Sequence, residues 1–126
     1  MGHARFLIVT RPARTDTFEE VRMAWRLLSA NNRELGRSLT DFLDEDSCRE
    51  AVAWLRDNVE RAASVMCTVQ PSAMWGWRLD IDERPVALSA RAYRRQRECR
   101  YNLAQFRAGV LDADPAAPRA RNELTA

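Results

Sequence analysis

The sequence predicts an α+β fold in which two pseudo-symmetric β-β-β-α repeats form one antiparallel sheet with two helices packed on one face. Three observations carry that expectation. Ser38, Phe42, Cys48, Arg49, Val52, Leu55 and Val59 return as Ser89, Tyr93, Cys99, Arg100, Leu103, Phe106 and Val110, each 51 positions later. Trp25-Arg26-Leu27 returns as Trp77-Arg78-Leu79 at an offset of 52, so one residue is lost between the blocks, in a turn, where a deletion costs least. Within each copy an apolar period of two precedes a period near 3.6, as in a half-buried strand followed by an amphipathic helix.

In the first copy, Ala4 to Val9 reads as an opening strand. Thr10 to Val21, with its Pro, Arg and Asp residues, reads as a long loop. Trp25 and Leu27 alternate with polar or small neighbours, which marks a strand with one buried face. Ser29-Ala30-Asn31-Asn32-Arg33 supplies a turn, because Asn tolerates positive φ. The chain then returns as a strand over Glu34 to Leu39, and a hairpin is the simplest connection. Asp44 is placed to cap a helix whose first turn holds Glu45 and Asp46, and Cys48, Ala51, Val52, Leu55 and Val59 form its apolar stripe.

The second copy follows the same plan. Ser64 to Val69 and the run Trp77, Leu79, Ile81 read as strands. Asp82-Glu83-Arg84-Pro85 reads as their turn, with Pro presetting φ, and Val86 to Ala90 as the returning strand. Cys99, Leu103, Phe106 and Val110 form the second helical stripe. Residues 1–111 are thus expected to make a single tandem-repeat domain, with repeats at 4–60 and 64–111, and 112–126 a Pro- and Ala-rich disordered tail. The expected core is Trp25, Leu27, Val52, Leu55, Trp77, Leu79, Leu103 and Phe106. One repeat alone is about half the size that folds without staples, so the two must share a core.

Composition limits function more than it defines it. The chain has 126 residues, 46% of them apolar and 30% charged, at a net charge of +2, so no overall field points to nucleic acid or membrane. Every basic side chain is Arg; there is no Lys. Each cation is therefore a planar fork able to bind carboxylate or phosphate bidentately. No apolar run has the roughly 18 residues of a membrane helix, and Phe6-Leu7-Ile8-Val9 is too short for a secretory signal core, so a cytoplasmic location is expected. Cys48, Cys67 and Cys99 lack the close spacing of a zinc site or a disulfide framework, and no metal or cofactor is expected. Cys48 and Cys99 fall on the buried stripes as small hydrophobes.

At this point the residues match a known pattern. An aromatic-Arg-Leu strand, an Asn-containing turn, a Ser ending the next strand (Ser38, Ser89), an aromatic (Phe42, Tyr93) and a Cys in an amphipathic helix resemble the YegP-like family. That is a bacterial and archaeal domain of unknown function found singly or as tandem repeats. The resemblance spans 4–60 and 64–111 and is closer in the second copy, Trp77 through Phe106. It implies two repeats building one antiparallel sheet with helices against it, single-repeat members pairing as dimers. There are departures. The usual Gly after the turn Asn is Asn32 here and Glu83 in the second copy, the usual capping Ser is Asp44 and Arg95, and the long first loop is atypical. The family has no established catalytic residues, so the resemblance implies no active site.

The residues themselves also argue against catalysis. His3 is the only histidine, so no Ser/His/Asp or Cys/His arrangement can be built without it. The glycines lack phosphate-loop spacing, and the acids of Asp41 to Asp46 read as helix capping and a solvated face. The informative feature is charge. Asp41 to Glu60 holds seven acids and two arginines, net −5, whereas Arg91 to Arg107 holds six arginines and one acid, net +5. Arg94, Arg95 and Arg97 start the second helix, where the macrodipole already concentrates positive charge.

An anion nearby would relieve this. The candidates are the acidic helix of the same molecule, that of a second copy, or an external phosphate; a merely solvated helix is the plain alternative. Candidate anion or partner contacts are Arg91, Arg94, Arg95, Arg97, Arg100 and Tyr101, the last lying off the apolar stripe. The favoured reading is a non-catalytic binding or interaction module with an unidentified protein partner or self-association. Nucleic-acid binding through the Arg-rich second helix is the alternative. Trp54, also off its stripe, is a candidate interface anchor. Trp75 is expected on the sheet's open face.

Overall fold

The computed structural model describes residues 3–14, 19–114 and 119–122. The chain runs β1 (Arg5–Arg14), β2 (Glu19–Leu28), β3 (Glu34–Ser38), α1 (Glu45–Asn58), a 3₁₀ turn (Val59–Arg61), β4 (Ala63–Val69), β5 (Met74–Ile81), β6 (Arg84–Ser89), α2 (Gln96–Asp112) and β7 (Arg119–Asn122). All strands lie in one sheet, ordered β4-β5-β6-β3-β2-β1-β7. Six strands are antiparallel neighbours. β3 and β6 meet at the centre, with Gly36 opposite Ser89 and Ser38 opposite Ala87. The fold is α+β, with the large buried side chains gathered between the sheet and the two helices.

All eight side chains expected in the core are buried. Cys48, Val52, Leu55 and Val59 supply the inner stripe beneath α1 and its 3₁₀ turn; Cys99, Leu103, Phe106 and Val110 supply that of α2. Phe106 lies between the two tryptophans, 6.1 Å from Trp25 and 4.7 Å from Trp77 by ring centroids. Phe6 meets Trp25 edge-on at 5.5 Å. Such pairs add to the burial of their area. Gly36 is required here: a Cβ would stand 2.5 Å from Phe106 Cδ1 and 2.8 Å from Trp77 Cη2.

The two halves repeat particular contacts. The Trp25 N–H donates to Ser38 Oγ at 3.1 Å, and the Trp77 N–H to Ser89 Oγ at 3.3 Å. Each serine thus closes an amide that the ladder leaves open. Met23 and Phe42 exchange two backbone hydrogen bonds, both 2.7 Å, as do Trp75 and Tyr93 at 2.6 and 2.7 Å. Asp44 caps α1, its carboxylate accepting from the Ser47 N–H at 2.7 Å, which holds its pKa below the usual carboxylate range.

Four expectations are corrected. The loop expected over Thr10 to Val21 is largely ladder: β1 continues to Arg14, and Thr10 through Arg14 pair with Met23 through Glu19. Residues 15–18 lie outside the described residues. The charges that suggested a loop do not oppose a ladder made of backbone groups, and Pro12 falls beyond the stretch of β1 that pairs with β7, at a strand edge, where proline is tolerated. The tail expected to be disordered over 112–126 is structured where it is described: Asp112 ends α2, Ala113 is buried, and Arg119–Asn122 pair in parallel with Leu7–Thr10. An unpaired edge binds any extended segment through its backbone, whatever that segment's composition. Residues 115–118 and 123–126 lie outside the described residues.

The remaining two corrections are local. Pro85 sits in β6 rather than in the turn. Asp82 and Glu83 alone make the turn, with φ of 53° and 64° and Ile81 paired to Arg84, a two-residue hairpin of the kind that matches strand twist. Trp75, expected on the open face, shares the helix-covered face with Trp77 two residues on and packs against the core. The open face is polar at its centre: Glu34 pairs with Arg26 at 3.2 Å and Arg37 at 2.7 Å, and Arg78 with Asp80 at 2.8 Å.

Candidate functional site

The structure divides the six predicted contact residues. Arg91, Arg97 and Tyr101 line one cavity of about 480 Å³. Arg94, Arg95 and Arg100 are exposed and lie outside it. The cavity's other lining residues are Arg33, Tyr93, Glu98, Asn102 and Gln105. Arg97, Tyr101 and Gln105 are spaced by four along α2, as are Glu98 and Asn102, so one helical stripe forms one wall. Arg91 and Tyr93 come from the β6–α2 connection, which the Trp75–Tyr93 bridge pins to the sheet. Arg33 comes from the β2–β3 turn, where Asn32 at φ 67° reverses the chain and the Arg33 N–H donates to Ser29 Oγ at 3.1 Å.

The floor is the buried Asn102 and the half-buried Tyr93; the rim is exposed. Burial pushes the Tyr93 phenol pKa up, while the charges of Arg91 and Arg33 oppose that rise. Glu98, the one acid in the lining, is engaged at the helix start, where its carboxylate accepts from the Arg95 N–H at 3.2 Å. Arg95 stands at the N-cap but has no acceptor to offer, so this is the only half of a capping box that forms. Among the described residues no ion pair reaches Arg33, Arg91 or Arg97.

The acidic helix does not neutralise the basic one within the chain. Among the described residues no ion pair joins α1 to α2. The contacts between them use backbone: Arg107 donates to the carbonyls of Val59 and Ala62 at 3.2 and 2.9 Å, and Arg56 to that of Leu111 at 3.3 Å. These are the carbonyls at and beyond helix C-termini, where cations are favoured.

A second groove occupies the corresponding place in the other half. It measures about 560 Å³ and is lined by Thr40, Ser47, Glu50, Ala51, Trp54, Arg84, Pro85 and Val86, with Phe42 in the adjoining cleft. Adding 51 converts Thr40 to Arg91, Phe42 to Tyr93, Ser47 to Glu98, Glu50 to Tyr101, Ala51 to Asn102 and Trp54 to Gln105; Arg84 corresponds to Arg33. The lining positions correspond and the chemistry differs, the second groove holding one cation, Arg84, one acid, Glu50, and the exposed Trp54. Cations, an exposed Tyr and a buried amide stand on one side, where the other has Thr40, Glu50 and Ala51.

Other constellations are spent elsewhere. His3 pairs with Asp112 at 2.9 Å, and Asp112 also accepts from the Ala4 N–H at 3.0 Å, which ties the start of the chain to the end of α2. Cys48 is buried, its thiol pushed up to about 12 mainly by burial and then by Glu45. Cys99 is buried against Met66. Among the described residues no group of three His, Cys, Asp or Glu side chains is placed to hold a metal ion, and no helix is long and apolar enough to cross a membrane. Sequence reasoning missed Arg33, which belongs to the other half, and Asn102. The signal for Asn102 was present: a polar residue on the buried side of α2, between Cys99 and Phe106.

This sheet order, with two helices over one face and the central β3–β6 pair, is the YegP-like fold. The solution NMR structure of yegP from E. coli, a protein of unknown function, superposes with a TM-score of 0.62 at 13% identity, covering 98% of this chain and 95% of that one. A UPF0339 protein from Shewanella oneidensis, also solved by NMR, gives 0.57 at 8% identity over 93% and 90%. At these identities the likeness is one of fold. No protein-family model matches the chain, and no curated protein matches it.

Proposed function

We propose that this chain is a non-catalytic binding module, acting in the cytoplasm, whose binding surface is the basic groove along α2 and whose ligand presents an anionic group there. The observation that carries the reading is the convergence of Arg33, Arg91 and Arg97 on one cavity with no ion pair to any of them among the described residues. Guanidinium forks suit phosphate and carboxylate oxygens. The corresponding α1 groove lacks all but one of those cations, so the fold does not demand them. Three free cysteines agree with a reducing compartment.

Calorimetric titration with inorganic pyrophosphate tests the reading. The wild type binds, and Arg91→Gln/Arg97→Gln weakens binding about tenfold or more, the equivalent of one charged hydrogen bond. Equal heats from the two proteins would contradict it.

Self-association is the second reading. The opposite charges of α1 and α2 find no partner in each other within the chain, and the two helices expose Trp54 (41%) and Tyr101 (68%). Light scattering should then show a mass that rises with concentration at low salt and falls back when salt screens the charges. A strict monomer at high concentration removes this reading and leaves the groove untouched.

A further inference from the structure

Resting on the groove's reading as an anion site, we propose that its ligand is a phosphate joined to a planar ring that carries a hydrogen-bond acceptor, the chemistry of a nucleotide. Charge gives the phosphate. The lining holds Arg33, Arg91 and Arg97 against Glu98, a net of +2, which matches the charge of about −1.5 to −2 on a phosphate monoester at neutral pH. A lone carboxylate would leave half of it unmet.

Tyr101 gives the ring. It is exposed at the groove's edge, and Gln105 Nε2 donates to its hydroxyl at 3.3 Å, so an aromatic face stands available for stacking beside the cations. Asn102 gives the acceptor. It is only 6% exposed, and its Oδ1 takes the Trp77 indole N–H at 2.6 Å. An indole can only donate, so this bond fixes the amide's orientation and leaves Nδ2 as the group offered to the cavity that Asn102 lines. Among the described residues that nitrogen has no hydrogen-bond partner, and it is not one of the fully enclosed unpaired polar atoms, so it is open to the cavity, where a ligand's acceptor can take it. The α1 groove has Glu50 and Ala51 at the matching positions, with its aromatic, Trp54, one turn further on, so neither the Tyr at this position nor the amide is a requirement of the fold. The volume falls within the usual range of small-ligand sites.

Two sources carry this chemistry, a free mononucleotide and a nucleotide within a single strand. Arg94, Arg95 and Arg100 separate them, because they flank the groove without lining it. The neighbouring phosphates of a strand would reach them, whereas a free nucleotide would not.

The test is calorimetry at fixed ionic strength with inorganic phosphate, with ribonucleoside monophosphates one at a time, and with a short single-stranded RNA. At least one nucleotide should bind about tenfold or more tightly than inorganic phosphate. Tyr101→Ala, at an exposed position that leaves the fold intact, should lower nucleotide affinity about 5- to 150-fold with phosphate affinity unchanged. Asn102→Asp keeps the acceptor for Trp77 and should lower the nucleotide-to-phosphate affinity ratio.

If Arg94→Ala/Arg100→Ala weakens the RNA alone, the ligand is a strand; if RNA binds no better than the nucleotide and that variant is silent, it is the free nucleotide. The proposal is overturned if neither nucleotide nor RNA exceeds inorganic phosphate, or if Tyr101→Ala changes nothing. Phosphate binding that still needs Arg91 and Arg97 would then leave the anion reading standing, and no binding of any anion would remove both.

Discussion

Replacing Gly36 by Ala tests how tightly the two halves close over Phe106. The added methyl would meet Phe106 Cδ1 at 2.5 Å, Cε1 at 2.6 Å and Trp77 Cη2 at 2.8 Å. Ordinary carbon contacts are about 3.5–4.0 Å, so the ring must retreat by about 1 Å. It has no free direction, because Phe106 is fully buried, with Trp77 on one side and Trp25 on the other. Overpacking of this kind costs about 1–3 kcal/mol, and a clamped ring belongs in the upper half of that range. The lower chain entropy of unfolded Ala returns about 0.4–1 kcal/mol, leaving a net loss of about 2 kcal/mol.

Urea unfolding followed by tryptophan fluorescence should show the midpoint falling at constant m-value. Gly109→Ala is the control: its methyl meets Leu27 and Leu35 side chains at 3.1 and 3.2 Å, and helix propensity favours Ala by about 1 kcal/mol, so stability should change little. Phe106→Leu in the Gly36→Ala background should cost less than the two single effects added together. An unchanged midpoint for Gly36→Ala would refute this account of the core.

Other outcomes follow from the same coordinates. A thiol reagent applied to the native protein should modify Cys67, which is exposed, and spare Cys48 and Cys99, which are buried with raised pKa values; mass spectrometry of the peptides reads this. Asp44, Asp80, Asp82 and Asp112 all have depressed pKa values, from the Ser47 amide, Arg78, Arg61 and the Ala4 amide respectively. Groups depressed in the folded state bind more protons when unfolded, so their stabilisation is present above about pH 4 and is lost as pH falls through the folded values; acid titration of the unfolding midpoint should show a decline confined to that range. Glu83→Gly should stabilise by about 0.5–1 kcal/mol, because Glu83 holds a φ of 64° that a side chain disfavours; a lower melting temperature would contradict this.

Much of this fold was legible because its signals are local and duplicated. The aromatic-Arg-Leu strands and the Cys-bearing helical stripes each appear twice at one spacing, and all eight expected core residues are buried. The ladder from Thr10 to Arg14 and the β7 pairing were not legible, since both rest on backbone groups that every residue carries. The candidate site was legible in part. The five arginines were grouped by charge alone and Tyr101 by lying off the apolar stripe; the one-turn spacing of Arg97 and Tyr101, which sets them on a common wall, was there to be read, whereas charge says nothing of the direction in which Arg100 leaves the helix. Arg33 could not be read at all. It reaches the groove from the other half, through the β3–β6 seam, and no spacing in the sequence encodes that pairing.

The proposed binding surface is the groove of α2 and not its counterpart on α1. Backbone amide NMR during a pyrophosphate titration reads both grooves in one sample. Saturable shifts are expected at Arg33, Arg91, Tyr93, Arg97 and Tyr101, with Thr40, Glu50 and Trp54 silent. Shifts spread over arginines across the whole surface, or centred on the α1 groove, would contradict it.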